Sequence, residues 1–145
     1  MRRYLYDHIP LPQAGQVDVD DAQPDGVILT APLPPNINHQ ETIFGGSASA
    51  VAILAAWSLL HVRLQHEGVS SRLVIQSNTM QYELPIAGSF TARSYLEPGA
   101  DWPRFLRTLA RKGRARIAVS SVLEYDGQQA GKLHGEFVAL APAAS

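Results

Sequence analysis

The stretch that decides the fold of this 145-residue chain is residues 38–60, NHQETIFGGSASAVAILAAWSLL. Its second part is apolar or small on every side and predicts a long helix from roughly Gly46 to Glu67, closed by Gly68, a residue type that adopts the left-handed conformation at helix ends. The segment from Ile43 to Leu60 reaches the lower length limit of a membrane span. Its many alanine, serine and glycine residues instead favour a helix that is surrounded by protein.

Two short strands are predicted before this helix. Six prolines in the first 40 residues permit short extended segments but no long helix. Residues 15–20 alternate between apolar and polar side chains, and residues 26–31 form an apolar run after a Pro-Asp-Gly turn. We therefore expect a β-hairpin in this region.

Beyond Gly68 the pattern changes to that of strands. Strands are predicted at residues 72–82, 89–96, 115–125 and 131–140, and a short helix at residues 101–112. Six strands cover an all-apolar helix only if the sheet curls around it. The order therefore permits an α+β hot-dog fold, with a curled antiparallel sheet of about six strands wrapped around one long central helix, as one of several α+β options. The loop before the helix narrows the choice to this fold, as a single domain over residues 1–145.

The motif before and inside the helix resembles the signature of the hot-dog thioesterases. It is most similar to the thioesterase family typified by the YiiD C-terminal domain, in which Asn-x-Asn-His, a Thr and Phe-Gly-Gly-Ser precede an Ala-Ala-Trp helix. The resemblance extends from about Ile9 to Leu140. It implies a homodimer or higher oligomer, a reaction at a thioester, and substrates carried on coenzyme A or acyl carrier protein. Coenzyme A would then be part of the substrate, and no separate cofactor is expected.

Gly45 and Gly46 are the predicted oxyanion site. Glycines let a ligand approach the backbone closely, and the free N–H groups of a helix start carry the positive end of the helix dipole. Phe44 and Ser47 flank the pair and are expected to contact the substrate. The alternative is that the two glycines only permit close packing of helix and sheet.

The loop before the helix supplies the candidate polar catalytic groups. His39 is a candidate general base because an imidazole titrates near neutral pH, and Asn38 is a candidate to orient water or the carbonyl group. Glu41 is a second candidate base, or the partner that sets the tautomer of His39. The alternatives are a turn residue for Asn38, a solvated or structural histidine for His39, and a carboxylate favoured by the helix dipole for Glu41.

The motif departs from that of the phenylacetyl-CoA-type thioesterases, which have His-Gly-Gly here and a helical carboxylate nine residues after that His. In this chain Phe44 replaces the His, and Ile53 stands at the carboxylate position. The base must then come from the preceding loop, or from Asn78, Thr79 or Glu83 on a strand of a partner subunit. The departure leaves a second function open, namely a non-catalytic module that binds acyl-CoA or acyl carrier protein.

Half of the 12 basic residues lie within residues 104–116, a segment without carboxylates. Arg111, Lys112 and Arg114 in this segment are candidates to bind the phosphates of coenzyme A or an acidic carrier protein, and the alternative is a solvated surface. A net charge of -1 argues against nucleic-acid binding.

No metal site is expected, because the chain has no cysteine and its five histidines lack the spacing of metal ligands. The first residues lack the apolar core of a signal peptide, so a cytoplasmic location is expected and no membrane partner.

Overall fold

A computed structural model of the chain, describing residues 1–142, contains one sheet of six antiparallel strands. The strands are β1 (Asp18–Gln23), β2 (Gly26–Ala31), β3 (Arg72–Tyr82), β4 (Phe90–Leu96), β5 (Arg114–Tyr125) and β6 (Gln128–Leu140), in the spatial order β1-β2-β4-β5-β6-β3. The helices are α1 (Arg2–His8), α2 (Pro10–Ala14), α3 (Gly45–His66) and α4 (Trp102–Lys112), with a 3-10 turn at Pro34–Asn36. Residues 143–145, the end of the predicted domain, lie outside the described residues.

The core forms where the sheet curls around α3. Ala52, Ala55 and Ala56 on α3 are fully buried, and so are Leu133 and Phe137 on β6. Small side chains on the helix let the strands approach it closely. The hydroxyl of Ser121 donates a hydrogen bond of 2.7 Å to the carbonyl oxygen of Ala52, which pins β5 to the helix.

The predicted hot-dog fold is therefore confirmed. By length and composition α3 could also cross a membrane, but 56% of its most apolar 18-residue window is buried inside the protein.

Most of the predicted boundaries agree with the structure because the local signals were strong. The β3 bounds are those that the period-two pattern indicated, and Asp126 and Gly127 both have positive φ, as the turn between β5 and β6 requires. Asp101 caps α4 by accepting a 3.0 Å hydrogen bond from the backbone N–H of Arg104, and Gly113 ends the helix at a φ of 73°.

The N-terminal segment differs from the prediction. Residues 2–14 form the two short helices α1 and α2, which were not predicted, and the first strand begins at Asp18 rather than at residue 15. Pro10 occupies the first turn of α2, where a residue without an N–H is tolerated. Leu5 is buried in the core, and the hydroxyl of Tyr6 donates to the carbonyl oxygen of Val17 at 2.7 Å. Tertiary contacts thus hold these two helices against the body of the protein.

Candidate active site

The first turn of α3 is an uncapped helix start. Phe44 is the N-cap residue and provides no side-chain hydrogen bond, and the first intrahelical bond runs from the N–H of Ala48 to the carbonyl oxygen of Phe44 at 3.0 Å. Within residues 1–142, the N–H groups of Gly45, Gly46 and Ser47 have no acceptor. Three adjacent N–H donors at the positive end of a 22-residue helix form a site suited to an oxygen that carries negative charge.

Asn36 holds this helix start in place, a role that was not predicted. Its side-chain amide donates to the carbonyl oxygens of Gly15 at 2.9 Å and of Pro32 at 2.8 Å, and its own carbonyl oxygen accepts the N–H of Phe44 at 2.8 Å. The side chain is buried, with 5% of its surface exposed. The only signal in the sequence was that Asn36 is the first Asn of the Asn-x-Asn-His motif.

Asn38 organises the turn that precedes the helix. Its amide group donates to the hydroxyl of Thr42 at 2.8 Å and to the carbonyl oxygen of Ile43 at 3.4 Å. Its side-chain oxygen accepts the N–H groups of Gln40 at 2.8 Å and Thr42 at 3.1 Å. Both donors and the acceptor are therefore engaged within the turn. In this arrangement Asn38 is a positioning residue. It has no free side-chain group for the direct contact with water or the substrate carbonyl that was predicted from the sequence.

His39 and Glu41 lie on the exposed side of the same turn. Glu41 has a φ of 62°, a left-handed conformation that non-glycine residues adopt rarely and that is enriched at functional sites. Because α3 begins at Gly45, Glu41 is not in its first turn, and the alternative role as a dipole-favoured first-turn carboxylate is wrong. The structure thus presents one imidazole and one carboxylate to solvent on the loop that leads into the helix.

Two aromatic side chains flank the glycine pair. The ring of Phe44 lies over Gly46 so closely that a Cβ atom there would be 2.5 Å from its Cε1 atom. On the other side, the hydroxyl of Tyr82 donates to the carbonyl oxygen of Gly45 at 3.3 Å. Gly46 therefore admits the Phe44 ring, which supports a role for this glycine beyond packing of helix and sheet.

Cavities lie on both sides of the helix start. One of about 290 Å³ borders Phe44, Gly46 and Ser47 and extends toward the N-terminal helices. The other, of about 300 Å³, borders Gly45, Tyr82 and Glu83. From the sequence, Glu83 was expected to act only from a partner's strand, whereas in the structure it lines a cavity at the helix start of its own chain. Its carboxylate accepts a 3.0 Å hydrogen bond from the Gln129 amide.

The remaining predicted site residues lie elsewhere in the protomer. Asn78 and Thr79 are exposed in the middle of β3, three or four residues before Tyr82, or about 10–14 Å along the strand. They do not reach the helix start of their own chain.

The basic segment is at the opposite end of α3. The guanidinium group of Arg63 lies 4.4 Å from the centre of the Trp102 ring, and the Trp102 indole N–H donates to Glu67 at 3.4 Å, so α4 packs near the C-terminus of α3. Seventeen residues of helix, about 26 Å, separate Gly46 from Arg63. Within one protomer, the structure does not bring Arg111, Lys112 and Arg114 to the helix start. Their predicted contact with phosphates stays a prediction.

An aromatic stack joins α1 to α3. The Tyr4 ring centre is 4.4 Å from that of His61, which in turn stacks on Trp57 at 5.0 Å. Burial lowers the pKa of His61 below its ordinary value of 6.5, and the positive amino terminus and His8 lower it further. The attachment of α1 therefore favours the neutral imidazole.

In the described part of the chain, no three His, Asp or Glu side chains converge as metal ligands would. The candidate site thus consists of the N–H donors of α3, the loop residues before them, and the two adjoining cavities.

Comparison with known proteins adds a family match. The family described as putative thioesterase (YiiD C-terminal) matches residues 1–141. A solved protein of unknown function from Chlorobaculum tepidum TLS is 28% identical, with a TM-score of 0.91 over 97% of this chain and 92% of that one.

More distant solved structures share the fold. A putative thioesterase from Shewanella oneidensis is 22% identical, with a TM-score of 0.85 over 97% of this chain and 94% of the other. A thioesterase from Haemophilus influenzae is 10% identical, with a TM-score of 0.77 over 97% of this chain and 87% of the other. These solved structures of one architecture therefore each cover 97% of this chain.

Proposed function

Because this chain belongs to the putative thioesterase family typified by the YiiD C-terminal domain, we propose that it hydrolyses acyl thioesters of coenzyme A or acyl carrier protein. The observation that carries the proposal is the uncapped start of α3, where the N–H groups of Gly45, Gly46 and Ser47 have no acceptor within residues 1–142. A thioester carbonyl oxygen placed there gains negative charge as water attacks. Such donors stabilise the transition state, each by about 3 kcal/mol.

The reaction requires one proton transfer to a base. Water attacks the carbonyl carbon while a general base removes one of its protons, and the oxygen of the tetrahedral intermediate is held by the N–H donors of α3. The carbon–sulfur bond then breaks, the electron pair leaves with sulfur, and the proton passes to the thiolate. The products are a free thiol and a carboxylic acid, which ionises at neutral pH.

We assign the general base to His39. It is an exposed imidazole in the turn that Asn38 stabilises, six residues before Gly45, and an imidazole can accept a proton at neutral pH. Glu41, in the same turn, is the alternative base. Glu83 is a further one, since its cavity also borders Gly45.

A second function, binding of acyl-CoA or acyl carrier protein without hydrolysis, is favoured by one observation. Ile53 stands where related enzymes have a carboxylate, and no acid or base lies between Ile43 and Leu60. An assay of thiol release from acyl-CoA esters of several chain lengths, repeated with acyl carrier protein, separates the two functions. Thiol release above the spontaneous rate supports the hydrolase, and tight binding without release supports the binding module.

We also propose that the protein acts as a homodimer through β3. This strand is an edge of the sheet, and its exposed apolar residues Val74 and Tyr82 are followed by exposed Leu84. Pairing of two β3 edges would cover these side chains and place Asn78 and Thr79 near a second subunit. Sedimentation should give twice the 15.8 kDa chain mass at micromolar concentration, and a species of 15.8 kDa alone would contradict the dimer.

The basic segment is the candidate site for the carrier of the acyl group. The basic segment with Arg111, Lys112 and Arg114 is proposed to attract the phosphates of coenzyme A or the acidic surface of a carrier protein. Charge reversal of the three should raise KM for the carrier substrate, whereas equal KM values would remove them from the site.

We place the reaction in the cytoplasm, without a metal or cofactor, so treatment with a chelator should leave turnover unchanged.

A further inference from the structure

The cavity that extends from the start of α3 toward the N-terminal helices is apolar. Its volume is about 290 Å³, at the lower end of the roughly 300–1,000 Å³ typical of small-molecule sites. One wall is α3, and the opposite wall is the segment from Ile9 to Val17, which contains α2. The described walls contain no charged side chain.

The exposed and buried residues of the cavity show which end is the mouth. Phe44, Gly46 and Leu11 are exposed, whereas Pro12, Val17 and Val51 are buried. The cavity is therefore open at the first turn of α3, beside the N–H donors. Val51, Pro12 and Val17 form its buried floor, and Ala50 and Leu54 farther along the helix are half-buried.

The amide protons of Asn36 in the cavity wall do not require a polar ligand. The Asn36 amide uses both of its protons on the carbonyl oxygens of Gly15 and Pro32, and its side chain is buried. Ser47 is at the mouth. An apolar ligand that enters past Ser47 would leave no buried amide proton unpaired.

We propose that this cavity holds the acyl chain of the thioester, so that the segment from Ile9 to Val17, which contains α2, selects chain length. The inference rests on the proposed function, because it places the carbonyl group at the mouth and the chain in the interior. The cavity on the other side of the helix start fits an alkyl chain less well, because Glu83 lines it. Burial of a carboxylate against an alkyl chain would be unfavourable.

The geometry gives a length. Gly46, Ala50 and Leu54 lie one above another on the same face of α3, and the eight residues from Gly46 to Leu54 span about 12 Å. A saturated carbon chain with bonds of about 1.5 Å and angles near 111° advances about 1.25 Å per bond. The cavity therefore fits an unbranched acyl group of about eight to ten carbons.

The expected selectivity follows from burial of methylene groups. Each buried methylene should raise kcat/KM about fourfold, which is about 0.8 kcal/mol converted at 1.4 kcal/mol per tenfold, until the floor is reached. We expect kcat/KM to rise from acetyl to about decanoyl esters and then to stop rising.

The test replaces Ala50 by Leu, which fills the cavity about one turn below its mouth. The ratio of kcat/KM for octanoyl to that for acetyl esters should fall more than tenfold relative to the parent. Ser49→Leu is the matched control, since it adds the same side chain at the neighbouring position, which does not line the cavity. Its ratio should stay within about twofold of the parent.

A binding experiment separates this proposal from the proposed function. The probes are the thioethers S-octyl- and S-ethyl-N-acetylcysteamine, which cannot be hydrolysed and carry the thiol arm common to coenzyme A and carrier protein. The parent and Ser49→Leu should bind the octyl probe at least tenfold more tightly than the ethyl probe, and Ala50→Leu should lose this difference.

If the parent binds both probes equally, or Ala50→Leu keeps the preference, the acyl-chain assignment is overturned, whether or not thioesters are hydrolysed. If the binding preference is found but no ester is cleaved, the cavity assignment stands and hydrolysis is wrong.

Discussion

Replacement of Gly46 by Ala tests the helix start most directly. The new Cβ atom would lie 2.5 Å from Cε1 of Phe44, whereas ordinary contacts begin near 3.4 Å, so the ring must move by about 1 Å. Phe44 is 57% exposed, and its ring has room to turn away. Phe44 is expected to contact the substrate, and a misplacement of about 1 Å of a substrate-positioning group can lower turnover about a hundredfold. We expect kcat/KM of the preferred acyl ester to fall by about this factor.

The fold should not be the cause of that loss. Ala is favoured over Gly in a helix by up to about 1 kcal/mol, so the free energy of unfolding in urea should be unchanged or slightly higher. Gly99→Ala is the control, because a Cβ atom at Gly99 meets nothing within 4 Å. At Gly45 the new Cβ would be 3.6 Å from the Tyr82 ring, an ordinary contact, so Gly45→Ala should cost less activity than Gly46→Ala. Equal turnover of Gly46→Ala and Gly99→Ala would refute the assignment of the helix start as the reaction site.

Three further predictions concern the loop and the N-terminal helices. His39→Ala should remove the rising limb of the pH–rate profile that a general base produces, whereas Asn38→Ala should lower turnover alike at every pH. A retained limb would move the base to Glu41 or Glu83. Asn36→Ala should lower the free energy of unfolding by about 2–3 kcal/mol in urea titrations, since the buried carbonyl oxygen of Gly15 and the partly buried one of Pro32 lose their donors. A loss below about 0.5 kcal/mol would contradict its anchoring role. Because the pKa of His61 is lowered in the folded state, the unfolded chain binds more protons, and the free energy of unfolding should fall as the pH drops through 6.5. His61→Gln should flatten this pH dependence, and an unchanged slope would contradict the role of His61.

The parts of the fold with local signals could be predicted from the sequence. The period-two pattern of β3, the Asp126-Gly127 turn and the apolar length of α3 each depend on neighbouring residues alone. The helices α1 and α2 have seven and five residues, well below the length of about 12 at which an isolated helix becomes stable. They form because Leu5 and Tyr6 on α1 and Pro12 on α2 pack against the distant body of the protein, and no local pattern reveals that packing.

Part of the candidate site could likewise be predicted from the sequence, and part of it could not. Gly45 and Gly46 could be assigned to the helix start because the apolar run begins directly after them. The proximity of Glu83 could not be predicted, because it depends on the hydrogen bond of 2.8 Å from the N–H of Ile43 to the carbonyl oxygen of Ile86, 43 residues along the chain. The positioning role of Asn38 likewise depends on which of its atoms the folded turn engages.

Thioester hydrolysis requires donors that stabilise the oxyanion and a general base that activates water. This protein places the two on elements of different rigidity. The N–H donors belong to a helix whose residues Ala52 and Ala55 are fully buried, so their positions are set by the core of the protein. The titratable groups His39 and Glu41 instead lie on an exposed turn, and no acid or base lies between Ile43 and Leu60. A substitution on the turn should therefore change the pH dependence of turnover without changing acyl selectivity. A substitution in the cavity should change selectivity without moving the pH profile, because the two parts share only the first turn of α3.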